Sequence, residues 1–159
     1  MSLLSKSCVY GIRASILMAV REQDKNKYLS IKDIAEELNL SAHFLTKILQ
    51  QLTQKGLLIS HRGPKGGVRF SRPAKEIMLI EIVEAIDGLG LFEECALGLA
   101  GCGTAAPCPL HDKWAKHKVE LRKLFEKANL GKVAQNVKDA GLRLRTVSQA
   151  ELLNLKNYK

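Results

Sequence analysis

The segment SIKDIAEELNLSAHFLTKILQQLTQKG, residues 30–56, reads as two helices separated by a tight turn. Ser30 followed by Asp33 is an S-x-x-D start signal, close to a capping box. Ile31, Ile34, Ala35 and Leu38 then fall on one stripe. Asn39 and Leu40 break the pattern. Ser41 can cap a second helix, and Gly56 ends it. In that second helix Phe44, Leu45, Ile48, Leu49 and Leu52 face inward. His43, Thr46, Lys47, Gln50 and Gln54 recur at spacings of three and four on the other face. A short helix, a turn and a second helix make a helix-turn-helix. The outward strip carries His, Thr, Lys and Gln and no carboxylate. An ordinary solvated face mixes Glu with Lys. This one suits base edges and phosphates.

The next segment supports the same reading. In LLISHRGPKGGVRFSRP, residues 57–73, Ile59 and Val68-Arg69-Phe70 have strand character. GPKGG between them is a turn that allows positive φ and close backbone approach. His61, Arg62, Lys65, Arg69 and Arg72 decorate this hairpin. A basic hairpin behind a helix-turn-helix is a wing, placed to lie along a groove with Arg62 or Lys65 at phosphates or a narrow minor groove.

Elements on either side complete a mainly α fold with one small β-hairpin. Residues 9–20, VYGIRASILMAV, are apolar almost all round, so they need cover on most sides, and a second subunit is one source of it. Residues 76–87, EIMLIEIVEAID, predict a helix with Ile77, Ile80, Val83 and Ile86 inside, stopped by Gly88. In PLHDKWAKHKVELRKLFEKA, residues 109–128, Leu110, Trp114, His117, Leu121, Leu124 and Ala128 repeat in alternating fours and threes. That seam wants a partner helix and reads as a dimerisation helix, with packing on the first helix as the alternative. A short helix near Gly131–Asp139 and a basic tail follow. Three regions result: a winged helix-turn-helix over 1–88, a cysteine-rich loop over 89–109, and a dimerisation helix with tail over 110–159.

Charge agrees with the layout. The chain of 159 residues carries a formal net charge of +9, which predicts an acidic partner such as nucleic acid. Residues 76–110 run against the trend, with six carboxylates and no Lys or Arg. A polyanion therefore belongs on the first seventy-five residues and the tail. Nothing reads as a targeting peptide. The apolar run Ala14–Val20 is too short to span a bilayer, so a cytoplasmic location and no membrane contact are expected.

That acidic stretch holds three of the four cysteines, in ECALGLAGCGTAAPCPLHDKW, residues 94–114. In a reducing cytosol clustered thiols point to metal binding or redox chemistry rather than disulfides. Cys95, Cys102 and Cys108 are spaced x6 and x5, and His111 follows Cys108 by x2. Glycines let the chain fold around an ion. Pro109 suits the first helical position, which would make Cys108 the N-cap and lower its thiol pKa. Zinc accepts such a set, but structural zinc sites usually contain a C-x2-C or C-x4-C knuckle, absent here. An iron–sulfur cluster tolerates the wider spacing and is favoured over zinc. Bare redox thiols are the third option. Cys8 stands apart and ranks below His111 as a fourth ligand. Glu93 and Glu94 are weaker oxygen candidates.

LSKSCVYGIRA, LSIKDIAEELNLSAHFLTKILQQLTQKGLL, HRGPKGGVRFSRP and ECALGLAGCGTAAPCPLH occur in the order found in the Rrf2 family of bacterial winged-helix regulators, which this chain resembles, its IscR and NsrR types in particular. The resemblance implies a homodimer on a partly palindromic operator in double-stranded DNA. It implies an iron–sulfur cluster, two-iron favoured and four-iron possible, that senses redox state, iron–sulfur status or nitric oxide. Cys95, Cys102 and Cys108 fall on the cysteine ligands, and His111 on the histidine that completes the two-iron cluster in IscR-type members. Ser41, His43, Thr46 and Lys47 fall on the DNA-reading part of the recognition helix. Arg62, Gly63 and Pro64 fall on the minor-groove wing, and Gln50 and Lys65 extend these two surfaces. The chain departs at the x6 spacing, one longer than in the best-known members. It departs at Val9, where NsrR-type members place a carboxylate, and at Thr46, where IscR-type members carry Glu.

A DNA-binding regulator controlled by an iron–sulfur cluster is therefore expected, with a zinc-bound or cluster-free thiol-sensing regulator as the alternative. An enzyme is not. The chain has no C-x-x-C, no Ser/His/Asp elbow, and no phosphate loop leading into a helix.

Overall fold

The computed structural model describes residues 3–22, 27–64, 66–100, 103 and 105–144. Along the chain run α1 (Lys6–Arg21), α2 (Ile31–Leu38), α3 (Ala42–Gln54), β1 (Leu58–His61), β2 (Gly67–Phe70), α4 (Leu79–Ile86), α5 (Gly90–Glu93), α6 (His111–Lys127) and α7 (Leu130–Ala140). The two strands form an antiparallel hairpin with Leu58 opposite Phe70 and His61 opposite Gly67. Among the described residues no helix is long and apolar enough to cross a membrane.

The helix-turn-helix forms as the sequence predicts. Ser30 caps α2, accepting the Asp33 N–H at 3.4 Å. Asn39 ends it in the left-handed conformation, with φ of 55°, which Asn tolerates better than most residues. Ser41 caps α3 through the Phe44 N–H. Ile34, Ala35, Leu38, Leu45, Ile48, Leu49 and Leu52 are buried.

α1 lies at the centre. Cys8, Ala14, Ile16, Leu17, Met18 and Ala19 are buried, and α7, α4, α3 and α2 of the same chain pack against it. The expected cover from a second subunit is thus supplied within the chain, chiefly by α7. Ser5 caps α1 through the Cys8 N–H, and its own N–H and hydroxyl donate to the Asp87 carboxylate at 2.8 and 2.5 Å. Asp87, the residue after α4, so clasps the start of α1. A carboxylate there also meets the positive end of the α1 dipole.

The helix expected over 76–87 is shorter. Ala74–Glu76 form a 3-10 turn, and Ile77 is extended. Helix begins at Leu79, where the Glu81 carboxylate accepts the Met78 N–H at 2.8 Å. The reason is tertiary pairing. Leu79 N–H donates to the Ala128 carbonyl and Leu130 N–H to the Ile77 carbonyl, both at 2.9 Å, which holds 77–79 as a strand-like bridge. Ile77 and Val83 are buried as expected, while Ile80 and Ile86 are half-buried and Leu79 and Ile82 take the inner positions.

The long helix also differs. α6 starts at His111 with Leu110 as its N-cap, so Cys108 does not occupy the cap. The Cys108 carbonyl instead accepts the His111 N–H at 2.9 Å. The expected seam divides. Lys118 and Phe125 are buried, and Trp114 and Leu121 lie beside them on the inner side, against α4 and α5. Leu110, His117 and Leu124 are exposed. On the single chain His117 is exposed, and its Nδ1 lies 3.8 Å from Glu120. The expected helix near Gly131–Asp139 is α7, and the tail from residue 145 lies outside the described residues.

Candidate functional site

Two surfaces bear on function. On α3, His43, Lys47, Gln50 and Gln54 are exposed on one side, opposite the buried leucines. Thr46 is only partly free, since its hydroxyl donates to the Ala42 carbonyl at 2.7 Å. Ser41 sits exposed at the N-terminus of α3, where backbone N–H groups and the helix dipole favour a phosphate. On the hairpin, His61, Arg62, Gly63 and Pro64 are exposed, and Gly63 has φ of 120°. Lys65 lies outside the described residues. Two of the expected basic residues are already engaged. Arg72 pairs with Glu81, and Arg69 stacks over the Tyr28 ring at 5.4 Å.

The second surface surrounds the cysteines. Cys95 is buried and Cys108 half-buried, and their sulfurs stand 3.6 Å apart. The Leu97 N–H donates to the Cys95 sulfur at 3.4 Å. Gly98, with φ of 68°, turns the chain directly after it. His111 lies on the first turn of α6, half-buried, three residues after Cys108. Cys102 lies outside the described residues. Among the described residues no group of three or more His, Cys, Asp and Glu gathers as metal ligands.

The sulfur separation is chemically informative. A disulfide requires about 2.05 Å, so these two sulfurs are not bonded to each other. Two thiolates sharing one tetrahedral metal, each about 2.3 Å from it, stand about 3.8 Å apart. The pair at 3.6 Å fits that requirement. A backbone N–H directed at a sulfur is also a feature by which proteins tune iron–sulfur clusters. The two soft thiols therefore fit two ligand positions of an iron–sulfur or zinc centre, while the His111 side chain is not gathered with them among the described residues.

Sequence reasoning missed what holds Cys95 in place. Trp114 Nε1 donates to the Glu94 carbonyl at 2.9 Å, and Lys118 Nζ to the Glu93 carbonyl at 2.8 Å. Arg122 lies 3.5 Å from the Glu93 carboxylate, and Phe125 packs on Phe92 with ring centres 5.6 Å apart. Four side chains of α6 thus grip the residues just before Cys95. Their periodicity is visible in the sequence, but a lysine on an inward face reads as surface until its carbonyl partner is known.

Cys8 is separate in character. It is fully buried, and burial together with the neighbouring Asp87 carboxylate pushes its thiol up to about 12. The thiolate, not the thiol, is the metal-binding form, and burial disfavours it here.

Residues 4–136 match the family model Rrf2, described as an iron-dependent transcriptional regulator. A Mycobacterium tuberculosis protein that bears the name of an HTH-type transcriptional regulator is 30% identical over 135 residues, covering 82% of this chain and 80% of that one. Among solved structures, CymR, the global cysteine regulator of B. subtilis, superposes with a TM-score of 0.70 at 22% identity, over 85% of this chain and 98% of that one. IscR of T. potens superposes with a TM-score of 0.69 at 21% identity, over 90% and 93%. The two structures speak for the fold.

Proposed function

We propose a function from the premise that the chain belongs to the Rrf2 family of winged-helix transcriptional regulators, as its match over residues 4–136 shows. It is a regulator and not an enzyme. Residues 1–88 form the DNA-reading head, 89–109 the cysteine loop and 110–159 the dimerisation element. α3 enters the major groove, where His43, Thr46, Lys47 and Gln50 meet base edges and phosphates and Ser41 meets a phosphate. The wing tip, Arg62 to Lys65, follows the minor groove. A second copy of the chain covers the exposed row of Leu110 and Leu124 on α6, giving a homodimer whose two heads read a partly palindromic operator one helical turn apart or a multiple of it.

Cys95, Cys102, Cys108 and His111 hold an iron–sulfur cluster, which supplies a redox- and nitric-oxide-sensitive centre when bound. The 3.6 Å approach of the Cys95 and Cys108 sulfurs carries this reading. The chain's own part is mechanical. Cys95 is gripped by α6 through Trp114 and Lys118, and Cys108 lies just before that helix. Loss of the ligand set alters the restraint between α4 and α6, and through them the pose of both heads. A hundredfold change in operator affinity needs only about 2.7 kcal/mol.

The test is anaerobic purification, then a visible spectrum with iron, sulfide and zinc assays, and DNA affinity before and after removal of the cluster. Brown protein with matched iron and sulfide, and an affinity that changes on removal, is expected. Equal affinity in the two forms would remove the switch. Colourless protein with stoichiometric zinc would make the loop a structural clamp. A second reading is a cluster-free thiol sensor. It is favoured by the approach of the Cys95 and Cys108 sulfurs, already within about 1.6 Å of bonding distance, and by the likeness to a cysteine regulator. Metal-free protein whose DNA affinity follows its thiol state would establish it.

A further inference from the structure

The outer face of the wing holds a cluster that the DNA-reading surface does not yet use. Val68 and Phe70 of β2 are buried, so Gly67 and Arg69 stand on the opposite face, with His61 and Ile59 across the ladder. Leu29 adds a third strand position. Its N–H donates to the Val68 carbonyl at 2.8 Å, and its carbonyl accepts the Val68 N–H at 3.0 Å. That register sets Tyr28 beside Arg69. The Arg69 guanidinium lies 5.4 Å from the Tyr28 ring centre. The His61 ring lies 5.3 Å from the same centre, tilted by 38°. His61 reaches Tyr28 across β2 because the residue between them is Gly67, which has no side chain to block the way.

Among the described residues this face carries no carboxylate. Among the described residues none pairs with Arg69, whereas Arg72 is bound to Glu81 and Arg21 to Glu37. Stacking on an aromatic ring fixes a long, flexible arginine without neutralising it. Less side-chain freedom then remains to be lost when the arginine binds. Its place is also suited to DNA. His61 is next to the tip residue Arg62, and Arg69 lies two strand residues behind Gly67, about 7 Å back from the tip.

We infer that Tyr28 is a positioning residue of the wing, holding Arg69 and His61 as a preformed donor face for the DNA sugar–phosphate backbone beside the groove that the tip enters. The inference rests on the DNA-binding reading above and adds a contact to it.

Salt dependence tests it, using a labelled duplex from the genomic fragments that the wild-type protein enriches. Removing one phosphate-neutralising cation lowers the slope of log affinity against log salt by about 0.9. Arg69→Gln is expected to lower the slope by about that amount per protomer. Tyr28→Leu is expected to weaken binding several-fold and lower the slope in the same direction, at nearly unchanged Tm. Tyr28→Phe, which keeps the ring, restores both. In the Y28L background R69Q adds little. A folded Y28L protein with wild-type slope and affinity overturns the inference, and so does a Y28L defect to which R69Q simply adds. If Y28L does not fold, an unchanged slope in R69Q, whose side chain is half-exposed, overturns it. Wild-type protein that enriches no DNA at all would fail the functional reading itself, and this inference with it.

Discussion

Lys118 donates from α6 to the carbonyl of Glu93 at 2.8 Å while only 9% exposed. Its ammonium is thus a fastening between the long helix and the backbone that leads into Cys95. Lys118→Met keeps the stem and removes the donor. Removing this part-buried hydrogen bond costs about 1 kcal/mol. Urea unfolding is expected to show that loss, and the variant should purify with less iron and sulfide than wild type. Full cluster content would detach the fastening from the cysteine site.

Replacing the ligands should separate Cys8 from Cys95 and Cys108. Cys95→Ser and Cys108→Ser are expected to abolish visible absorption and bound sulfide. Cys8→Ala is expected to retain both, because Cys8 is held away from ionisation by burial and by Asp87. His111→Ala should keep colour but shift the band positions. An absorption spectrum with iron and sulfide assays decides each case.

Cys8 also gives a pH signature. Its folded pKa, about 12, is raised above the ordinary 9.0. The unfolded chain releases this proton first, so the stabilisation is complete below pH 9 and declines as pH rises from 9 toward 12. The slope is about 1.4 kcal/mol per pH unit for one proton. Denaturant midpoints of wild type and Cys8→Ala, compared across that range, should converge as pH rises. Parallel curves would count against a perturbed thiol.

Gly67 is expected to be intolerant. A Cβ there would collide with the Leu29 carbonyl oxygen, and the residue has φ of 152°. Backbone cannot yield as a side chain can. Gly67→Ala should cost about 2 kcal/mol or more and lower DNA affinity by displacing Tyr28 from Arg69. Unfolding curves and binding titrations on one preparation would check both.

Ser15 is the opposite case. Its hydroxyl is buried in α1 with no hydrogen-bond partner among the described residues. Ser15→Ala removes an unsatisfied group at little change in volume, and a gain of about 1 kcal/mol is expected. A lower Tm would reveal a partner for that hydroxyl.

Much of this molecule is legible in the sequence because it is built from local signals. Ser30, Asn39, Ser41 and Gly56 mark the ends of α2 and α3 through caps that act within four residues. The hairpin is set by its own turn. The features that local signals do not reveal are set by distant pairing. The start of α4 is displaced because 77–79 bond to 128–130. The α6 seam divides because half of it answers α4 and α5. The clasp of Asp87 on Ser5 joins residues eighty-two apart in sequence. At the cysteine site the ligand types can be read, but the grip on Cys95 depends on backbone carbonyls, which leave no trace in side-chain identity. Tyr28 carries no signal of its own, because its importance lies in a register, one strand step from Leu29.

The pairing of 77–79 with 128–130 makes a closed ring of chain. α4, the cysteine segment and α6 form its circumference, and the ring is tied where α4 begins and α6 ends. α6, about 25 Å long, is thus tied to α4 at its C-terminal end and, through Trp114 and Lys118, to the backbone before Cys95 toward its N-terminal end. The cysteine segment therefore closes a ring whose two ends are both fastened, so strain in it is borne by Trp114 and Lys118 on one side and by the Leu79–Ala128 and Leu130–Ile77 bonds on the other.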